Sequence, residues 1–172
     1  PLRSAKVAFV GIGIGKANAF ATRVQQDFKA DLFFFENKDT ITKVNSMLEQ
    51  LKGYDAVVVG FHNYSRRPAN QFGLSKNSLD LLNKLQANNT ITFAFGNPYA
   101  VQYICNSNNL VVCYEDDEIT QNAAADLLLG KINAKGKLPV TVCEGFRFGD
   151  GIVYDNMLPK AKPETVGMSS ES

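Results

Sequence analysis

The sequence is poor in the residues that build metal sites. It has one histidine, His62, and three cysteines, Cys105, Cys113 and Cys143, with no metal-ligand spacing. Each cysteine lies in or beside an apolar segment, so all three are expected as buried free thiols. An excess of charge of one sign is also missing. Lys and Arg number 18 against 17 Asp and Glu, and they are scattered, which leaves no electrostatic footprint for a nucleic acid or an anionic membrane surface. No apolar run reaches the length of a membrane span. Pro1 is not followed by the basic region and apolar run of a leader, and the chain is expected to be a piece of a longer one. No G-x-x-x-x-G-K-[ST] occurs, which excludes a P-loop.

What the sequence does have is alternation. The chain is 172 residues long and 45% apolar, enough for one α/β domain with a sizeable core. Strand-like runs recur at Val7 to Ile12, Leu32 to Phe35, Ala56 to Phe61, Thr90 to Phe95 and Leu110 to Tyr114, nearly continuous in apolar residues, as strands covered on both faces require. Helical stripes fall between them: Phe20, Val24 and Phe28; Ile41, Val44, Leu48 and Leu51; Leu79, Leu82 and Leu85; Ile119, Ala123 and Leu127. Asp39 or Thr40, Ser75, and Asp116 or Asp117 precede the last three as candidate caps. The pattern predicts a three-layer αβα sandwich, an α/β fold around a mostly parallel, flavodoxin-like sheet of order 2-1-3-4-5. Pro139, inside a short apolar run, suggests a sixth strand at an edge. The domain is expected over residues 1–143, with 144–172 a tail or linker toward a following domain.

The first strand runs into KVAFVGIGIGKAN, with glycines at 11, 13 and 15. A dinucleotide fingerprint needs G-x-G-x-x-G, and here Lys16 stands where the third glycine belongs, although Glu36 ends the second strand where a ribose-binding acid is usual. Two readings stay open: a strand-to-helix turn, or an anion site made by Gly13, Gly15 and Lys16 at a helix N-terminus. NAD, FAD and FMN are expected not to bind, and no cofactor is implied.

Two later stretches carry a family resemblance. FAFGNPYAV at 93–101 and QNAAADLLLGKINAKGKLPVTV at 121–142, following five strand–helix units, resemble the C-terminal αβα domain of family 3 glycoside hydrolases, nearest to bacterial β-N-acetylglucosaminidases. The matching positions are Leu129, Gly130, Gly136, Lys137, Leu138, Pro139, Val140 and Thr141. PETVGMSS at 163–170 resembles the opening of a β-lactamase-type serine hydrolase domain, though Ser169, Ser170 and Ser172 are followed by no lysine of an S-x-x-K motif. The resemblance implies a partner (β/α)8 barrel carrying the aspartate nucleophile and a carbohydrate substrate; the compartment stays open, a periplasmic or extracellular parent being suspected, since three cysteines neither require nor forbid export. It assigns no catalytic residue to this chain.

Residues at the expected strand ends are the substrate-proximal candidates. His62 follows the third strand, beside Asn63, Tyr64, Arg66 and Arg67, and is read as a surface or domain-contact residue or as a direct sugar contact. Tyr64 and Phe72, in the long polar loop after it, suit stacking on a pyranose or packing on a neighbouring domain. Asn97 and Tyr99 flank Pro98 after the fourth strand, where a rigid turn is the simplest use. Asp116 and Asp117, at a helix start, are expected to cap. The expected role is a non-catalytic accessory domain whose loops shape or cover a sugar site. The rivals are a nucleotide- or phosphate-binding module and a purely structural domain.

Overall fold

A computed structural model of the chain describes residues 4–86 and 89–152. Five parallel strands form one sheet: β1 (Val7–Ile12), β2 (Asp31–Phe35), β3 (Ala56–Phe61), β4 (Thr90–Ala94) and β5 (Leu110–Val112), in the order β2-β1-β3-β4-β5. Every residue of β1 and β3 is buried, which places these two runs at the centre, as their unbroken apolar character requires. Alternate residues then feed opposite layers. Ala8, Val10, Ile12, Val57, Val59 and Phe61 face α2 (Ile41–Leu51), the short α3 (Ala69–Phe72), α4 (Lys76–Leu85) and a 3-10 helix at Pro98–Ile104, while Val7, Phe9 and Val58 face α1 (Ala19–Phe28) and α5 (Glu118–Leu128). This is the doubly wound αβα sandwich expected from the alternation.

Caps hold the helix starts. Asn18 accepts the Ala21 N–H at 2.9 Å, Ser75 accepts the Ser78 N–H at 3.1 Å, and Asp117 accepts the Thr120 N–H at 2.7 Å. Thr40 occupies the N-cap of α2 without a side-chain bond. At the other end of α5, Gly130 has φ +76° and its N–H returns to the Leu127 carbonyl, so the Leu-Gly pair is a helix stop.

Three expectations are corrected. The buried stripe of α5 is Gln121, Ala124 and Ala125, whereas Ile119 is 82% exposed. An apolar stripe misjudges this helix because a polar side chain, Gln121, is drawn inward by hydrogen bonds to the distant Phe20 N–H and the nearby Asp116. Cys105 and Cys143, read as free thiols, form a disulfide across 38 residues of sequence; only Cys113 is free among the described cysteines. Among the described residues no sixth strand joins the sheet. Leu138 and Gly149 instead bond within one loop, through Leu138 N–H to the Asp150 carbonyl and Gly149 N–H to the Leu138 carbonyl. Residues 153–172, with PETVGMSS, lie outside the described residues.

Candidate functional site

In an open parallel sheet the loops leaving the carboxyl ends of the strands form the binding edge, centred where neighbouring strands send their connections opposite ways. Here that point lies between β1 and β3. The β1–α1 turn is pressed onto β3: Gly13 has φ +90°, its N–H donates to the Phe35 carbonyl at 2.8 Å, and a Cβ there would overlap the His62 carbonyl oxygen. Only glycine allows both the backbone angle and the close approach.

His62 continues the Val58–Gly60 face of β3 into the α1/α5 layer and is fully buried. Its ring stacks on Phe95 at 4.4 Å between centroids and lies over Gly60, where a Cβ would come within 2.5 Å of Nε2. Asp116 Oδ1 sits 2.9 Å from Nδ1, so the ring carries a proton on Nδ1 and donates it to the carboxylate. The Asn18 amide nitrogen is 3.2 Å from Nε2, and because Asn18 Oδ1 is taken by the Ala21 N–H, the amide faces the ring as a donor. Gln121 Nε2 also donates to Asp116 Oδ1 at 2.8 Å, and the Asn63 N–H donates to Oδ2 at 3.0 Å. Burial pushes the Asp116 carboxyl up, but the bonds from His62, Asn63 and Gln121 outweigh it and hold it below the ordinary carboxylate value.

This network corrects the reading of His62 as a surface or sugar-contacting residue, because both ring nitrogens face partners inside the domain. It also uses the amides an anion would need. The Phe20 N–H points to Gln121 Oε1 at 3.4 Å and the Ala21 N–H to Asn18, while the space beside Gly15 is filled by the Glu36 carboxylate, 2.7 Å from where a Cβ would lie. Lys16 is exposed. The engaged Gly13, Phe20 and Ala21 amides and the Glu36 carboxylate beside Gly15 leave a poor setting for a phosphate here.

Outward from the network, the β3 and β4 loops are tied to each other. Asn97 Nδ2 donates to the Arg66 carbonyl at 2.8 Å, its Oδ1 accepts the Tyr99 N–H at 2.9 Å, and the Arg66 guanidinium meets Glu115 at 2.9 Å. The Arg67 N–H donates to Ser65 Oγ at 3.0 Å. Arg66, Arg67 and Tyr99 are exposed, Tyr99 at 44%. Asn63, with φ +56°, reaches the Gly13 carbonyl through Nδ2 at 3.3 Å. Tyr64 and Phe72 do not face outward: Tyr64 stacks on Phe61 at 4.3 Å, and Phe72, 1% exposed, packs edge-on to both Tyr64 and Tyr103. Burial raises the Tyr64 phenol far above its usual range.

No family model and no curated protein matches the chain. Solved structures do. The chain aligns over 84% of its length with 16% of a fungal multi-domain GH3 β-N-acetylglucosaminidase that has a GCN5-related glucosamine N-acetyltransferase region, at TM-score 0.62 and 18% identity. It aligns over 81% of its length with 28% of a glycoside hydrolase family 3 β-N-acetylglucosaminidase from Paenibacillus sp. str. FPU-7, at TM-score 0.65 and 17% identity. A β-glucosidase from Listeria innocua, solved with isofagomine, aligns over 81% of this chain and 23% of its own, at TM-score 0.64 and 17% identity. The chain has a fold found within family 3 glycosidases. It spans at most 28% of these three proteins, so most of each lies outside the shared fold.

Several acids at the strand-end edge have partners within the domain. Glu36 pairs with Lys38 at 3.1 Å, Asp39 with Lys43 at 2.6 Å, Glu115 with Arg66, Asp116 with His62, and Asp117 caps α5. Hydrolysis of a glycoside requires two carboxyl groups facing one sugar from opposite sides. The arrangement can orient loops and present arginine, asparagine and tyrosine side chains. Sequence reasoning missed Asn18 and Gln121, saw Glu115 only as part of an acidic cluster, and offered Asp116 or Asp117 as the cap, which is Asp117. Asn18 carried a signal, being a cap-type residue just before the first helical stripe.

Proposed function

We propose that this chain is the non-catalytic C-terminal αβα domain of a family 3 glycoside hydrolase of the β-N-acetylglucosaminidase type, acting with a (β/α)8 barrel carried elsewhere in its parent. One observation carries the reading: the shared fold covers 81–84% of this chain but only 16–28% of the glycosidases it resembles, the relation of one domain to a larger enzyme. The partnered acids at the strand-end edge support a role without catalysis.

In this reading the Asp116–His62–Asn18 network, closed around the buried imidazole, fixes the loops, and the residues nearer the surface do the work. Asn63, Arg66, Arg67, Asn97 and Tyr99 shape or cover the carbohydrate site of the barrel, while His62 and Tyr64 position them from within. The purely structural alternative differs in one measurable respect. In the full-length parent, assayed with an aryl β-N-acetylglucosaminide, Arg66→Ala and Asn97→Ala are expected to raise KM or lower kcat by about 1 to 3 kcal/mol of transition-state stabilisation. Unchanged constants in both variants would remove the sugar-site role and leave the structural one.

A further inference from the structure

The segment after α5 crosses from one layer of the sandwich to the other. It leaves α5, whose Ala124 and Ala125 belong to the α1 layer, and brings Val142 and Phe146 against the opposite core cluster, which Leu110 and Val112 of β5 also touch. Between these points it runs past Tyr114, just beyond the end of β5, an edge strand of three half-buried residues. The Tyr114 hydroxyl donates to the Lys137 carbonyl at 3.5 Å on this path. The segment is itself a closed loop: besides the two Leu138 bonds, a Cβ on Gly151 would lie 2.5 Å from the Gly136 carbonyl oxygen, so its ends touch. Where it meets the second layer, Cys143 is bonded to Cys105 at the end of the 3-10 helix, and Gly145 approaches the Cys105 carbonyl so closely that a Cβ would sit at 3.4 Å.

We infer that residues 131–150 are a strap over the β5 edge, locked by the Cys105–Cys143 disulfide, and that the chain therefore matures in an oxidising compartment. An uncovered edge strand is a template for pairing with another chain, and covering it is one of the ways proteins prevent that. Apart from Val142 and Phe146, little of the strap is apolar and inward, so the covalent bond supplies the hold that packing does not. Formation balances with an oxidised dithiol catalyst as acceptor. One cysteine thiolate attacks the catalyst disulfide, the other displaces the catalyst from the mixed disulfide, and the catalyst leaves as a dithiol with the two electrons and two protons. Cys113 is a poor competitor, since burial pushes its thiol up to about 12 and suppresses the nucleophilic thiolate. Disulfides persist in secreted and periplasmic proteins and are reduced in the cytosol of most cells.

The test uses the full chain produced by export to a bacterial periplasm. Thiol titration under denaturing conditions is expected to find one free thiol, and peptide mass mapping is expected to link Cys105 to Cys143. Three free thiols, or a link through Cys113, would overturn the proposal. Limited trypsin digestion then reads the strap, which carries Lys131, Lys135, Lys137 and Arg147. Reduction with a phosphine is expected to speed cleavage at those sites by about tenfold while sites in the five-strand body stay protected. A Cys105→Ser/Cys143→Ser double variant should be cleaved at the fast rate with or without the phosphine. Equal cleavage of oxidised and reduced wild-type chain would show that the bond does not hold the strap, whatever the folding of the variant.

Discussion

His62 Nδ1 donates to Asp116 Oδ1 across 2.9 Å and 54 residues of sequence, joining the end of β3 to the start of α5. The imidazole is fully buried and its other nitrogen faces the cap of α1, so one hydrogen-bonded pair fixes three elements at the binding edge. Removing the acid leaves a buried donor on Nδ1, and also strands the Asn63 N–H and the Gln121 amide. Asp116→Ala is expected to cost about 1.5 to 3 kcal/mol of unfolding free energy, the range for hydrogen bonds to a charged group, measured by urea denaturation. A change within a few tenths of a kcal/mol would mean that the network does not bind these elements together.

The same acid predicts a pH dependence. Its carboxyl is held below the ordinary value of 3.8 in the folded chain, so the stability it adds is whole above about pH 4 and is lost as pH falls through the folded value. Unfolding free energy should therefore decline below about pH 4, with Asp39, Asp117 and Asp126 contributing in the same direction. Asp116→Asn should flatten part of that decline. Identical acid slopes for wild type and variant would place the stabilising carboxylates elsewhere.

Gly60 gives the imidazole its seat. A methyl group there would come 2.5 Å from Nε2 and 3.0 Å from the Phe9 ring, both rigid neighbours in a packed layer. Gly60→Ala is expected to destabilise by about 1 to 3 kcal/mol through overpacking, seen as a lower urea midpoint with an unchanged slope. A neutral or stabilising result would show that the ring can move aside.

The sheet was legible because β1 and β3 are apolar without interruption, and only strands covered on both faces need that. The bounds of β1 and β3 were read to the residue, whereas β4 and β5 stop short of Phe95 and Tyr114, where pairing gives way to the strand-end loops. The α5 face was misread because Gln121 is buried for its hydrogen bonds, which no apolar periodicity records. The Cys105–Cys143 bond was invisible for a related reason: the strap brings together residues 38 apart, and three cysteines offer no unique pairing. For the site, position at strand ends located the right loops. It did not distinguish His62, turned into the core, from Arg66, turned out, because that choice depends on Gly60 and Asp116 together.

Val58 tests the placing of β3 at the centre. It is fully buried between β1 and β4 and faces the α1 layer. Val58→Asp puts an unpaired charge there, a cost of several kcal/mol against a total stability of about 5 to 15, and should prevent accumulation of folded chain. A soluble, cooperatively folding variant would place the strand at an edge.

The most direct test of the accessory role is a chromogenic assay of the chain by itself. Purified and folded, it is offered aryl β-N-acetylglucosaminides and aryl β-glucosides at concentrations where a barrel-containing family 3 enzyme turns over readily. No release of the aryl alcohol above the uncatalysed rate is expected, because in the proposed accessory role the nucleophile lies on a barrel outside this chain, and hydrolysis ordinarily needs two carboxyl groups facing one sugar. Turnover by the isolated chain that one carboxylate substitution within it abolishes would contradict this, and would make the domain an enzyme in its own right.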